Sequence, residues 1–168
     1  ILTFDHFQFV FIGGAAYFSL LPGLWLLWNP VIRIQMPKAD EIDYMIVDVH
    51  GEFAGEKIAL GHLFDGKSTL VFGSHTHVPS ADAMILSKGT AYQTDLGMCG
   101  DYNSVIGLNK NNFLKRMLKS KNVKKNKPAK GMPTICGSIV KASKKTGLAL
   151  SIKQIIIGGK LDKKNWIC

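Results

Sequence analysis

The stretch from Tyr44 to His77, YMIVDVHGEFAGEKIALGHLFDGKSTLVFGSHTH, constrains the fold more than any other part of the chain. Tyr44–Val49 is a nearly unbroken apolar run with β-branched residues. Such a run suits a strand buried on both faces, as in a parallel sheet. Glu52–Phe64 follows, with good helix formers and apolar residues at Phe53, Ile58, Leu60, Leu63 and Phe64. Asp65-Gly66 ends that helix, and Ser68–Phe72 is a second apolar strand. A strand, a helix and a strand of this length form a crossover unit joining two parallel strands, with a right-handed connection. The fold class read from this unit is α/β.

The same stretch carries three histidines at strand ends. His50 falls just past the first strand, and His75 and His77 just past the second. Neighbouring strands lie ~4.8 Å apart, which gathers the three imidazoles at the carboxyl edge of the sheet. Open α/β sheets bind ligands at that edge. Alternate side chains of an extended segment share a side, so His75 and His77 are expected to approach one small volume. Neutral imidazole suits zinc, iron, copper or nickel, and carboxylates help recruit manganese. Three histidine ligands leave positions open for water and substrate, as a catalytic site needs. The competing reading is a His-x-His pair that merely hydrogen-bonds within a loop.

Asp48 and Glu52 flank His50, and either could fix its tautomer. His62 reads as an ordinary helix residue, and His6 lies in an apolar context without an obvious partner. Ser74 and Thr76 belong to no Gly-x-Ser-x-Gly elbow, and the chain has no phosphate-binding P-loop. Asp95–Asp101 (DLGMCGD) is a loop in which Gly97 and Gly100 could let the backbone approach a phosphate or could simply turn the chain.

Around this centre the rest of the chain is less decisive. With 168 residues, 46% hydrophobic and 20% charged, it has enough apolar content for one globular domain. Cys99, Cys136 and Cys168 are odd in number and widely spaced, which points away from a disulfide framework or a CxxC metal site and toward a reducing, cytoplasmic compartment. The net charge of +9 sits mostly after Asn109, either as a solvated basic face or, through Lys110–Lys130, as a contact for nucleic acid. The sequence begins at Ile1, so a fragment, a processed product or an unusual start is expected. Phe7–Trp28 carries no charge and is long enough to cross a bilayer, which takes ~20 residues. Three readings are open for it: a membrane or interface segment with the main domain on the cytoplasmic side, two buried strands split at Gly13-Gly14, or a remnant that packs poorly. Asn29–Glu41, with Pro30 and Pro37, is a connector.

After His77, Ala83–Leu86 and Thr90–Thr94 form a hairpin around Ser87-Lys88-Gly89. Asn109–Lys119 is a helix with Phe113, Leu114, Met117 and Leu118 on one face, and Ser120–Lys130 is a lysine-rich loop. Ile135–Ala142 and Leu148–Ile157 form an antiparallel pair. The resulting division is an apolar segment (1–30), a connector (31–42), a domain (43–157) and a tail (158–168).

Four motifs carry a family resemblance. They are the strand end Val47-Asp48-Val49-His50, the helix segment Glu56-Lys57-Ile58-Ala59-Leu60-Gly61-His62, the run Gly73-Ser74-His75-Thr76-His77-Val78-Pro79, and Gly89-Thr90-Ala91-Tyr92-Gln93-Thr94-Asp95-Leu96-Gly97-Met98. From about Asp43 to Met117 the chain resembles the C-terminal half of the YmdB-like, calcineurin-like metallophosphoesterases. The resemblance implies a β-sandwich with flanking helices, of which this chain is a part that lacks the N-terminal half. It implies a dinuclear iron, manganese or zinc centre in which His50, His75 and His77 are ligands. It also implies hydrolysis of phosphodiesters such as 2′,3′-cyclic nucleotides, with the loop Asp95–Tyr102 near the site and Asp95 and Gly97 as candidate substrate contacts. The family's Gly-Asp, Gly-Glu-Asn and Gly-Asn-His motifs do not occur before His50. The bridging carboxylate and the general acid are therefore missing, at most one metal is expected here, and a weak or inactive enzyme is anticipated. The same loss would expose apolar surface and favour a homo-oligomer or a complementing chain. The rival expectation is a non-catalytic metal-binding or interaction module.

Overall fold

The computed structural model describes residues 2–4, 7–13, 42–119 and 125–162. In chain order its elements are β1 (Leu2–Phe4), β2 (Phe7–Gly13), β3 (Tyr44–His50), α1 (Ala54–Leu63), β4 (Leu70–Ser74), β5 (Met84–Ile85), β6 (Ala91–Gln93), α2 (Lys110–Met117), β7 (Ile135–Ala142) and β8 (Ala149–Ile157). The first six strands form one sheet in the order β1-β2-β3-β4-β6-β5. Within it β2, β3, β4 and β6 run parallel, and β1 and β5 are antiparallel edges. The expected crossover unit is present: β3 pairs with β4 in parallel, and His50 stands opposite Ser74.

The unbroken apolar run of β3 has two separate uses. Met45, Val47 and Val49 are buried on one face, where they pack with Val71, Tyr92 and the Phe64 that closes α1. Ile46 faces the other way, with Leu70, Phe72 and Ala91. That second face is covered by the antiparallel pair β7–β8, through Val140, Ala149 and Ile152. One face of the central strands is fully buried and the other is largely covered, which is why their sequence lacks a clean apolar–polar alternation.

The predicted hairpin is the β5–β6 pair. Its turn is held by Asp65, 6% exposed, whose carboxylate accepts from Ser87 Oγ and from the backbone N–H groups of Lys88 and Thr90. Burial pushes this carboxyl up, but those hydrogen bonds outweigh it and leave it below the usual carboxylate range.

Helix α1 departs from a simple amphipathic pattern. The residues it buries are Lys57 and Gly61, one turn apart, while Ile58 and Leu63 remain half exposed. The cause is a close approach to the sheet: a Cβ at Gly61 would lie 2.6 Å from ring carbons of Tyr92. Helix α2 begins where expected, with the Asn109 side chain accepting from Asn112 N–H at 3.3 Å. It buries none of its residues, and Met117 and Leu118 are well exposed.

The first seven residues of the apolar Phe7–Trp28 segment are β2, ending at Gly13, and pair in parallel with β3. No helix among the described residues is long and apolar enough to cross a membrane. Residues 14–28, the connector 29–41, His6, residues 120–124 of the lysine-rich stretch and residues 163–168 of the tail lie outside the described residues.

Two glycines should respond oppositely to a methyl group. A Cβ at Gly73 would meet the Thr94 carbonyl oxygen at 1.9 Å and Lys57 Cδ at 2.5 Å, whereas one at Gly55 meets nothing within 4 Å. Gly73→Ala is expected to cost at least ~2 kcal/mol through overpacking. Gly55→Ala should leave stability unchanged or raise it by ~0.5 kcal/mol through the unfolded state. Urea unfolding of the two variants checks both signs.

Candidate metal centre at the carboxyl edge of the sheet

Asp48 and His50 are two residues apart on β3 and so share a face, and Ser74 at the end of β4 stands beside them. Ser74 Oγ donates to Asp48 Oδ1 at 2.9 Å. A carboxylate only accepts, so the serine proton is committed to it, and Ser74 Oγ is left to accept from His50 Nδ1 at 3.0 Å. The polarity of the chain thus assigns the His50 proton to Nδ1 and leaves Nε2 with its lone pair. That Nε2 lies 3.1 Å from His75 Nδ1, with the rings edge-to-face and their centroids 4.9 Å apart. Both rings are exposed.

Among the described residues no group of three or more His, Cys, Asp or Glu side chains is arranged to hold one metal ion. The extended backbone assumed for the two residues is not what is found: His75 has φ 109° and His77 φ 64°.

Positive φ at non-glycine residues persists only where the surroundings enforce it. Here Thr76 N–H, between the two histidines, donates to Asp95 Oδ2 at 3.0 Å. On the far side Tyr102 Oη donates to the His77 carbonyl at 3.0 Å, and Met98 N–H reaches the same carbonyl at 3.3 Å. Burial, reinforced by the Cys136 thiol, pushes the Tyr102 hydroxyl well above its usual value and keeps it a donor.

Asp95 and Gly97, expected near the substrate, are placed behind the histidine turn. Asp95 is 2% exposed and accepts from internal partners: Lys57 Nζ at 3.0 Å, Thr76 N–H, and Gly97 N–H at 2.9 Å. Burial pushes the Asp95 carboxyl up, and the Gly97 and Thr76 amides together with Lys57 outweigh it, so it lies below the ordinary range. Gly97, with φ 82°, packs so tightly that a Cβ would meet Pro79 Cδ at 2.7 Å. Glu52 and His62 are exposed, and Cys99 and Cys136 are free thiols. Two contributors were not singled out in the sequence: Ser74, signalled by its place opposite His50 in a parallel register, and Lys57, which gave no local sign.

A sequence profile of the YmdB-like protein family matches residues 29–155. The chain belongs to the YmdB-like protein family. It is 38% identical over 133 residues to the 2′,3′-cyclic-nucleotide 2′-phosphodiesterase of Bacillus subtilis, covering 71% of this chain and 48% of that protein. It is 56% identical over 70 residues to a putative phosphatase/phosphodiesterase of Mycoplasma pneumoniae, covering 41% and 25%. Among solved structures, a hypothetical protein from Thermus thermophilus aligns with TM-score 0.63 at 38% identity, covering 70% of this chain and 45% of that one. A novel phosphatase from Mycoplasma pneumoniae aligns with TM-score 0.71 at 30% identity, covering 99% and 61%. The mixed α/β architecture is thus shared with a solved phosphatase, and the chain spans about half the length of the Bacillus relative.

The loops behind the turn should be acid-labile. Asp82, which accepts from Ser80 Oγ and from Thr94 N–H and Oγ1, also lies below the ordinary range: burial raises it, and these bonds more than reverse that. A carboxyl depressed in the fold contributes stability above its unfolded value of about 3.9 and loses it as pH falls through the lower folded value. Thermal melts should be flat from pH 7 to about 5 and should fall steeply below about pH 4. Asp82→Asn should flatten that fall.

Proposed function

We propose that this chain supplies the histidine half of a metal-dependent phosphoesterase centre that acts on phosphodiesters of the 2′,3′-cyclic nucleotide type. The observation that carries the reading is the His50 Nε2 to His75 Nδ1 separation of 3.1 Å at the carboxyl edge of the sheet. Two imidazole nitrogens take up such a spacing when both lie ~2.0–2.1 Å from one ion. The donor set fits: imidazole nitrogens on exposed rings, one with its tautomer fixed from behind by Ser74 and Asp48. Iron, manganese and zinc all accept such ligands. The bound ion would polarise a phosphoryl oxygen and lower the pKa of water.

The chain's own residues orient and present the nitrogens. His77, exposed beside this pair, would face the second ion or the phosphate. The described residues gather no bridging carboxylate beside His50 and His75. The chain alone is therefore expected to hold one ion weakly, and full turnover to require carboxylates from outside them. The names of two relatives, a cyclic-nucleotide phosphodiesterase and a putative phosphatase/phosphodiesterase, support the choice of substrate class.

The test is calorimetric titration of the chelator-treated chain with Mn2+ or Zn2+, followed by assays with bis(p-nitrophenyl) phosphate and 2′,3′-cyclic AMP. His50→Ala and His75→Ala should each abolish binding, and Ser74→Ala should weaken it about tenfold. His77→Ala should leave the first ion in place. Unchanged binding in both His50→Ala and His75→Ala would sink the proposal.

A further inference from the structure

Lys57 is the one buried lysine among the described residues, fully enclosed, and no step proposed above uses its charge. It pairs with Asp95 at 3.0 Å, with the two side chains 0% and 3% exposed. A buried ion pair is weak evidence of stabilisation, since an apolar pair of similar volume often serves as well. This pair does something an apolar pair cannot. The Asp95 Oδ2 that receives Lys57 Nζ also receives Thr76 N–H, at 3.0 Å each. Thr76 lies between two residues whose φ values, 109° and 64°, are unfavourable for side-chain-bearing residues. Fixing the direction of that one N–H orients the planar peptide unit that joins His75 to Thr76, at the centre of the turn.

The path to this contact is built into the sheet. The Lys57 side chain leaves α1 and crosses β4 at Gly73, where a Cβ would stand 2.5 Å from Lys57 Cδ. A residue with any side chain at position 73 would close that slot. Three elements remote in sequence thus meet at one oxygen atom: α1, the loop after β6, and the turn after β4.

We propose that Lys57 and Asp95 are positioning residues that hold the His75–Thr76–His77 turn in its left-handed course and thereby set where the two imidazoles stand. Lys57 pairs with Asp95 and fixes its carboxylate in place; Asp95 orients the Thr76 amide. The clamp rests on the backbone geometry, and only its consequence for metal binding rests on the function proposed above.

The test uses the full chain and the variants Lys57→Met, Asp95→Asn and, as a control, Asp65→Asn, which removes a similarly buried carboxylate from the β5–β6 turn. Lys57→Met keeps most of the stem and removes the charge. Asp95→Asn presents an amide that cannot accept from Lys57, Thr76 and Gly97 together. NMR without metal reads the Thr76 amide shift and the HN–Hα couplings of His75 and His77; Co2+ absorption reads affinity. Both variants should move the Thr76 amide upfield, shift both couplings and weaken Co2+ binding about tenfold or more. Asp65→Asn should lower the urea midpoint and leave the turn and the Co2+ affinity as they were. The proposal is overturned if Lys57→Met and Asp95→Asn behave like the control. Should Lys57→Met not fold, Asp95→Asn decides alone on the same readouts. If the unaltered chain binds no Co2+, the metal reading fails and the clamp is decided by the couplings.

Discussion

Parallel pairing of β3 with β4 is the constraint on which the rest depends. It puts two strand ends at one edge and sets His50 opposite Ser74. From that register follow the Asp48–Ser74–His50 chain and the start of the histidine turn in the next residue. The pairing holds because both faces of these strands are covered, one fully under α1 and one largely under β7–β8. A one-residue slip would swap the two apolar sets between faces and would also separate serine from histidine. Core packing and site geometry are therefore enforced by the same register.

Much of this was legible in the sequence. The runs Tyr44–Val49 and Ser68–Phe72 read as buried parallel strands because continuous burial leaves an uninterrupted apolar signature. Ser87-Lys88-Gly89 and the stretch around Gly147 read as hairpin turns because glycine and small polar residues supply what turns need. The motifs around His50 and His75–His77 led to the family. Location at the carboxyl edge followed from strand polarity alone.

What was hidden in the sequence depends on partners far along the chain or on the sign of a dihedral. A lysine within a helix looks solvated, and Lys57 is buried only because Asp95, 38 residues on, comes to meet it. Asp95 looked like a loop carboxylate free to meet a substrate for the same reason. Nothing in Ser-His-Thr-His announces positive φ at two non-glycine positions. The apolar residues of α2 suggested a buried face, and the structure leaves Leu114, Met117 and Leu118 exposed.

The edge-to-face contact of the two imidazoles makes them unequal partners. His50 already carries its proton on Nδ1, held there by Ser74, and its Nε2 needs no change to receive a cation. His75 Nδ1 is the donor to that Nε2, so its proton occupies the space where an ion would sit. For both nitrogens to face one ion, His75 must carry its proton on the other side of the ring, an exchange that surrounding water can carry because the ring is exposed. An ion centre built on this pair would thus be half preset and half adaptable: one imidazole already in the tautomer it needs, the other requiring its proton to change sides first.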